Sequence, residues 1–180
     1  AFYKPAGYLT AFGTSPDGKE GIDAFLEGLP KKVKPAGRLD YDAEGLLLLT
    51  DDGELAHRVM HPKYKLPKTY QVLVEGRVSH QTLENMSQGA HLRDGLAKPE
   101  SLRLLGYQGE DSLLEVVFTE GRYHLVKRFM VYFGHRVKRL KRTAIGPVEL
   151  GDLKAGQWRP LSQEELKALK SALNMAHEGG

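Results

Sequence analysis

The chain has 180 residues, of which 41% are hydrophobic and 27% charged, with a net charge of +3 and no cysteine. That length and balance describe a globular domain, single or two-lobed, and argue against a disordered chain or a membrane protein, since no run approaches the ~18 apolar residues of a spanning helix. Lack of cysteine removes disulfides, thiol catalysis and thiolate metal sites; with no basic-then-apolar leader at the start, a cytoplasmic protein is expected, without membrane contact.

Residues 1 to 14 read as a strand and turn, with Lys4-Pro5-Ala6-Gly7 as a corner. The spacing of Ile22, Phe25, Leu26 and Leu29 predicts a short amphipathic helix from Gly21 to Leu29, stopped by Pro30. A basic connector, Lys31 to Lys34, leads into Pro35-Ala36-Gly37-Arg38-Leu39-Asp40 and then four consecutive leucines, 46 to 49. Such a run, bounded by turn residues, is a fully covered strand or a turn of core helix. A helix follows from Glu54 to Met60, then a strand from Thr69 to Glu75 that alternates Tyr70, Val72 and Val74 with Gln71, Leu73 and Glu75. Ser79 to Gln88 carries an N-cap serine, a Val78–Leu83 staple and a closing Gly89. Ser101 to Tyr107 and Ser112 to Thr119 form a hairpin. Tyr123 to Phe133 has helical spacing of Val126, Phe129, Met130 and Phe133, closed by Gly134. Arg136 to Arg142 is basic without a clean period. Ser162 to Met175 has a capping box, Ser162 with Glu165, and a leucine stripe. Helices and hairpins mix without strict βαβ alternation, which predicts an α+β fold with a mainly antiparallel mixed sheet flanked by helices.

Charge is unevenly distributed. Six acidic residues and no Lys or Arg lie between Asp40 and Glu54, whereas eight Lys/Arg and no acidic residue lie between Arg122 and Arg142. A single-sign window of that length offers a face for a polyanion, nucleic acid above all, although a solvated basic surface would look the same. The acidic stretch partly overlaps a calcium-loop pattern, but the match is poor: position five is Glu44, and position twelve is Asp51 rather than a bidentate Glu. Burying the leucines, at roughly 1.5–3 kcal/mol each, outweighs wrapping a cation. The seven histidines have no metal-binding spacing, and no phosphate-cradling loop is present. Lys127 and Arg128 are neighbours on a helix and point about 100° apart, so one can reach a buried carboxylate while the other meets phosphate.

Four segments in order, Lys4-Pro5-Ala6-Gly7, Gly37-Arg38-Leu39-Asp40 through Gly45-Leu46-Leu47, Lys68-Thr69-Tyr70, and Gly121-Arg122-Tyr123-His124 to Arg128, resemble the successive motifs of pseudouridine synthases. The resemblance is closest to the group typified by synthase A of the small ribosomal subunit, which also holds synthases B, E and F. The tail from Leu140-Lys141-Arg142 to Trp158-Arg159-Pro160-Leu161 resembles that group too. The resemblance implies one catalytic domain over 1–180; the group usually has an S4-type RNA-binding domain before that point, and here either that domain was removed or binding rests on the basic face. It also implies that Asp40 is the nucleophile, that Arg38 and Lys127 lie beside it, and that Tyr70 contacts the uracil. The implied substrate is a uridine in ribosomal RNA, 16S or 23S, isomerised by a monomer without metal, nucleotide or other cofactor. Lys4, Arg122, Arg128, Lys138, Arg139, Lys141 and Arg142 are the expected RNA contacts. Ala43 and Leu125 depart from the group, which commonly has Thr or Ser and Gln there.

The chemistry of the residues agrees. Moving a uracil from its nitrogen to its carbon link conserves every atom and calls for a charged carboxylate. A nearby cation, Arg38 or Lys127, would hold Asp40 in that form, and Tyr70 offers a flat face for a flipped base. Two other readings stay open on the residues alone: a non-catalytic RNA-binding or ribosome-assembly module, and a metal-dependent phosphodiesterase using Asp40, Asp42 and Glu44.

Overall fold

Strand β1 (Phe2–Lys4) opens the chain and is followed by a four-residue 3-10 turn at Ile22–Phe25. The predicted helix there is thus much shorter than its apolar spacing suggested; Leu26 ends it, and Gly28 takes a positive φ of 91° before Pro30. β2 (Lys34–Pro35), β3 (Glu44–Leu47), β4 (Leu49–Thr50) and helix α1 (Gly53–Met60) come next, then β5 (Lys68–Val74), α2 (His80–Gln88), and the small hairpin of β6 (Ala90–Leu92) and β7 (Gly95–Ala97). The second half holds β8 (Ser101–Gln108), β9 (Asp111–Phe118), α3 (Leu125–Tyr132), β10 (Val137–Ile145), β11 (Val148–Glu149) and α4 (Gln163–Ala172). This computed structural model describes residues 1–30, 32–122 and 124–175; Lys31 of the basic connector, Tyr123 of the predicted helix, and His177 lie outside the described residues. Among the described residues no helix is long and apolar enough to cross a membrane.

The main sheet runs β1-β3-β10-β5-β9-β8, with β11 attached to β10. Its pairs are antiparallel except β3 with β10, so the fold is α+β with a mixed, mainly antiparallel sheet. The basic segment that lacked a period is the sheet's hub. β10 carries register shifts between Val137 and Arg139 and between Arg142 and Ala144, and each bulge resets the in-out alternation that a periodicity reading depends on.

The leucine run ends the covered strand β3 at Leu47, passes through buried Leu48 and enters β4 at half-buried Leu49. Leu47 joins the core on one face with Phe2, Tyr70, Val72, Phe118 and Phe129, while Leu46 and Leu48 join a second core with Leu55, Val59, Ile145 and Leu169. Burial on both faces explains why this strand reads as continuous rather than alternating. Gly45 makes the parallel contact possible. Its φ is 118°, and a Cβ there would sit 2.2 Å from the Arg142 carbonyl oxygen and 2.6 Å from the Arg142 nitrogen. Gly45→Ala should therefore lower stability by about 3 kcal/mol or more, by backbone strain plus displacement of β10. Urea unfolding measures it, and a loss under about 1 kcal/mol would show that the two strands part freely.

Candidate active site

The loop before β3 is fastened from below. Lys4 is fully buried, and its Nζ donates to the carbonyls of Ala43 at 2.7 Å, Pro5 at 3.0 Å and Asp40 at 3.1 Å. The Ala43 amide donates to the Asp40 carbonyl at 3.0 Å, closing the turn that carries Asp40. Thr10 adds a second tie, its hydroxyl donating to the Leu39 carbonyl at 2.8 Å and accepting from the Leu39 amide at 3.1 Å. Burial pushes the Lys4 amine down to about 8 against the opposing pull of Asp42, Asp40 and Glu44. The expectation that Lys4 meets RNA is corrected: no part of it reaches the surface, and carbonyl oxygens satisfy its ammonium.

On this platform the Asp40 carboxylate is about one-third exposed (31%), with Lys127 Nζ 3.5 Å from one oxygen and His124 Nε2 3.4 Å from the other. Both partners come from the start of α3, where positions three apart share a helix face. His124 precedes the helix in left-handed backbone, φ 48°, a conformation uncommon outside glycine. Lys127 also makes a closer ion pair with Asp42. Partial burial alone would raise the Asp42 carboxyl, but the hydrogen bond and charge of Lys127 reverse this and hold it below the ordinary range.

Asp40, Arg38, Lys127, His124 and Tyr70 line one cleft of about 500 Å³. Tyr70 is 8% exposed, its ring embedded in the core. Among the described residues no buried side-chain nitrogen or oxygen lacks a partner, so the Tyr70 hydroxyl, which has no protein hydrogen bond there, is open to the cleft. Arg38 is exposed and, among the described residues, pairs with no acid; the cation beside Asp40 is Lys127, joined by His124, rather than Arg38. The three acids of the phosphodiesterase reading do not converge. Glu44 is buried, accepting from the Tyr3 hydroxyl at 3.0 Å and from Arg139, while Asp40 and Asp42 face Lys127. Among the described residues no group of three or more His, Asp or Glu is placed to hold a metal ion.

Most cations expected to meet RNA have acidic partners. Arg128 grips Asp94 with two bonds, at 2.9 and 3.0 Å, and Arg122 reaches the same carboxylate at 2.9 Å and the Leu96 carbonyl at 2.9 Å. Together they brace the β6–β7 hairpin against the start of α3, an arrangement the sequence advertised only through the Asp94-Gly95 turn pair. Lys138 pairs with Asp111 at 2.7 Å, Arg139 pairs with Glu44, and Lys141 lies over the Tyr3 ring at 5.4 Å. Arg142 is buried in the cleft wall, its Nε donating to the Leu46 carbonyl at 2.9 Å, so it stands apart from the exposed cations of β10.

The family model described as "RNA pseudouridylate synthase" matches residues 1–131. This chain belongs to the RNA pseudouridylate synthase family. An RNA pseudouridine synthase of Aquifex aeolicus is 55% identical over 97% of this chain and 70% of its own length. The ribosomal large subunit pseudouridine synthase B of Bacillus subtilis is 36% identical over 94% of this chain and 70% of its own. Among solved structures, a pseudouridylate synthase crystal structure superposes with a TM-score of 0.82 at 37% identity, covering 93% of this chain and 71% of that one. In this pseudouridylate synthase the residue that sequence reasoning passes over is His124. Its lack of metal spacing hides it; its place three residues before Lys127, at the mouth of a helix, is the available signal.

Proposed function

We propose that this pseudouridylate synthase isomerises a uridine of ribosomal RNA, with Asp40 as the nucleophile. The observation that carries the reading is the placement of the Asp40 carboxylate, open to the cleft, against Lys127 and His124, in the same cavity as the hydroxyl of Tyr70. The volume of about 500 Å³ suits a single extruded nucleotide. The reaction breaks the bond from ribose C1′ to uracil N1, makes one from C1′ to C5, and moves a proton from C5 to N1. Asp40 supplies the negative group that starts this exchange, Lys127 fixes its position, and Tyr70 supports the base and carries the proton. Every atom is conserved, so the reading needs no metal, nucleotide or other cofactor.

Ribosomal RNA as the substrate draws on the naming of the Bacillus subtilis relative. Arg38, exposed at the cleft mouth two residues from Asp40, is free to meet backbone or base, and Lys138, Arg139 and Lys141 add charge along β10. Arg122 and Arg128 support this surface through the hairpin they brace. The reading carries with it a monomer working in the cytoplasm. Mapping pseudouridines in ribosomal RNA from cells with and without the gene tests it. One or a few sites should vanish on deletion and return with the wild-type chain; an unchanged map would refute the reading.

A further inference from the structure

Lys68 begins β5 and leaves the strand on the same face as Tyr70, two residues on. The residue is 9% exposed and lines the same cleft. Among the described residues its amine has neither hydrogen bond nor ion pair, yet it is not sealed away, so its open side is the cavity. A buried ammonium without a counter-ion is an expensive arrangement, and it worsens beside a second cation. Here that neighbour is Arg142, opposite Tyr70 in the adjoining strand. Burial first, and Arg142 second, push the Lys68 amine down to about 8. Both acids that line the cavity are held elsewhere, Asp40 by Lys127 and His124 and Glu120 by Arg122.

Resting on the function proposed above, we propose that Lys68 holds an anionic oxygen of the target nucleotide inside the cleft. An extruded uridine brings two sources of such an oxygen. One is its phosphate, charged throughout. The other is the uracil ring. When the C1′–N1 bond gives way its electron pair stays with the base, and the charge spreads onto O2 and O4 until the new C1′–C5 bond forms, C5 releases its proton and N1 gains one. Lys68 keeps its own proton through both steps and acts by charge.

Lys68→Met and Lys68→Arg in the full chain decide the matter, assayed on a ribosomal RNA transcript carrying the mapped uridine. RNA affinity is measured in an Asp40→Asn background so that turnover does not intrude. Lys68→Met should melt at the same temperature or higher, because an uncompensated cation is gone, and should lose about 100-fold in activity, with Lys68→Arg recovering a tenfold or greater share. A loss in rate at saturating RNA with affinity unchanged assigns the uracil oxygen; a loss in affinity with saturating rate unchanged assigns the phosphate. Wild-type rate and affinity in Lys68→Met overturn the proposal. So does a lowered melting temperature whose unfolded fraction accounts for the lost activity. If the methionine variant does not fold, Lys68→Gln is read by the same criteria. A wild-type chain that changes no uridine defeats the functional reading, and this proposal with it, before any variant is made.

Discussion

Asp40→Asn should abolish pseudouridine formation, by roughly 10⁴-fold or more, while leaving the fold and RNA affinity nearly intact. The substitution keeps the shape of the side chain and removes its charge. What it removes structurally is small: the ion pair with Lys127 spans 3.5 Å around a partly exposed carboxylate, and such pairs contribute about 0–1 kcal/mol. The loop itself does not depend on the carboxylate, because Lys4 and Thr10 hold its backbone through carbonyl and amide groups. Rate and stability should thus separate cleanly. Single-turnover isomerisation, thermal melting and an RNA-binding titration on the same preparation check it. An asparagine variant within tenfold of the wild-type rate would remove Asp40 from the role of nucleophile.

Lys127→Ala should lower the rate at saturating RNA by about 10²–10³-fold and weaken binding by no more than about threefold. Lys127 is the cation that faces both Asp40 and Asp42, and without it the two neighbouring acids repel, with His124 the remaining ion-pair partner of Asp40 among the described residues. The same change has a signature in pH. Asp42 sits below its ordinary value despite the upward push of burial, because Lys127 hydrogen-bonds to it and attracts it. A depressed carboxyl contributes stability above the value it has in the unfolded chain, and that contribution is lost as pH falls through the folded value. Lys127→Ala should erase this contribution, so the variant and the parent should differ in stability at neutral pH and converge in strong acid. Asp42 is largely exposed, so the difference will be small. A defect confined to RNA affinity would reassign Lys127 to phosphate contact.

Much of this arrangement could be read from the chain before any coordinates. β5 and β9 alternate between buried and half-buried positions, whereas β8 shifts register between Leu104 and Gly106, and α2 and α4 carry their caps in sequence: Ser79 accepts from the Thr82 amide, and Ser162 with Glu165 closes a capping box. Asp40, Tyr70 and Lys127 were nameable from motif order. What sequence could not supply was partnership. A count of cations from 122 to 142 gives their sign and says nothing of Asp94, Asp111 or Glu44, the acids that meet four of them from distant segments. Lys4 shows the same limit from the other side: a lysine in a polar corner reads as surface until β1 pairs with β3 and turns it inward beneath the loop. His124 and Lys68 stand inside the family-like motifs but take no role from them, because burial and backbone direction, not residue type, make them distinctive.

The position of β10 has one more consequence. β3, which follows the acid-bearing loop, and β5, which bears the tyrosine, share no seam; β10 lies between them as their common neighbour. The proposed nucleophile and base support are therefore stitched together by a third strand that carries four cations, Lys138, Arg139, Lys141 and Arg142. If β10 peels away, the Asp40 loop and Tyr70 lose their common registration together.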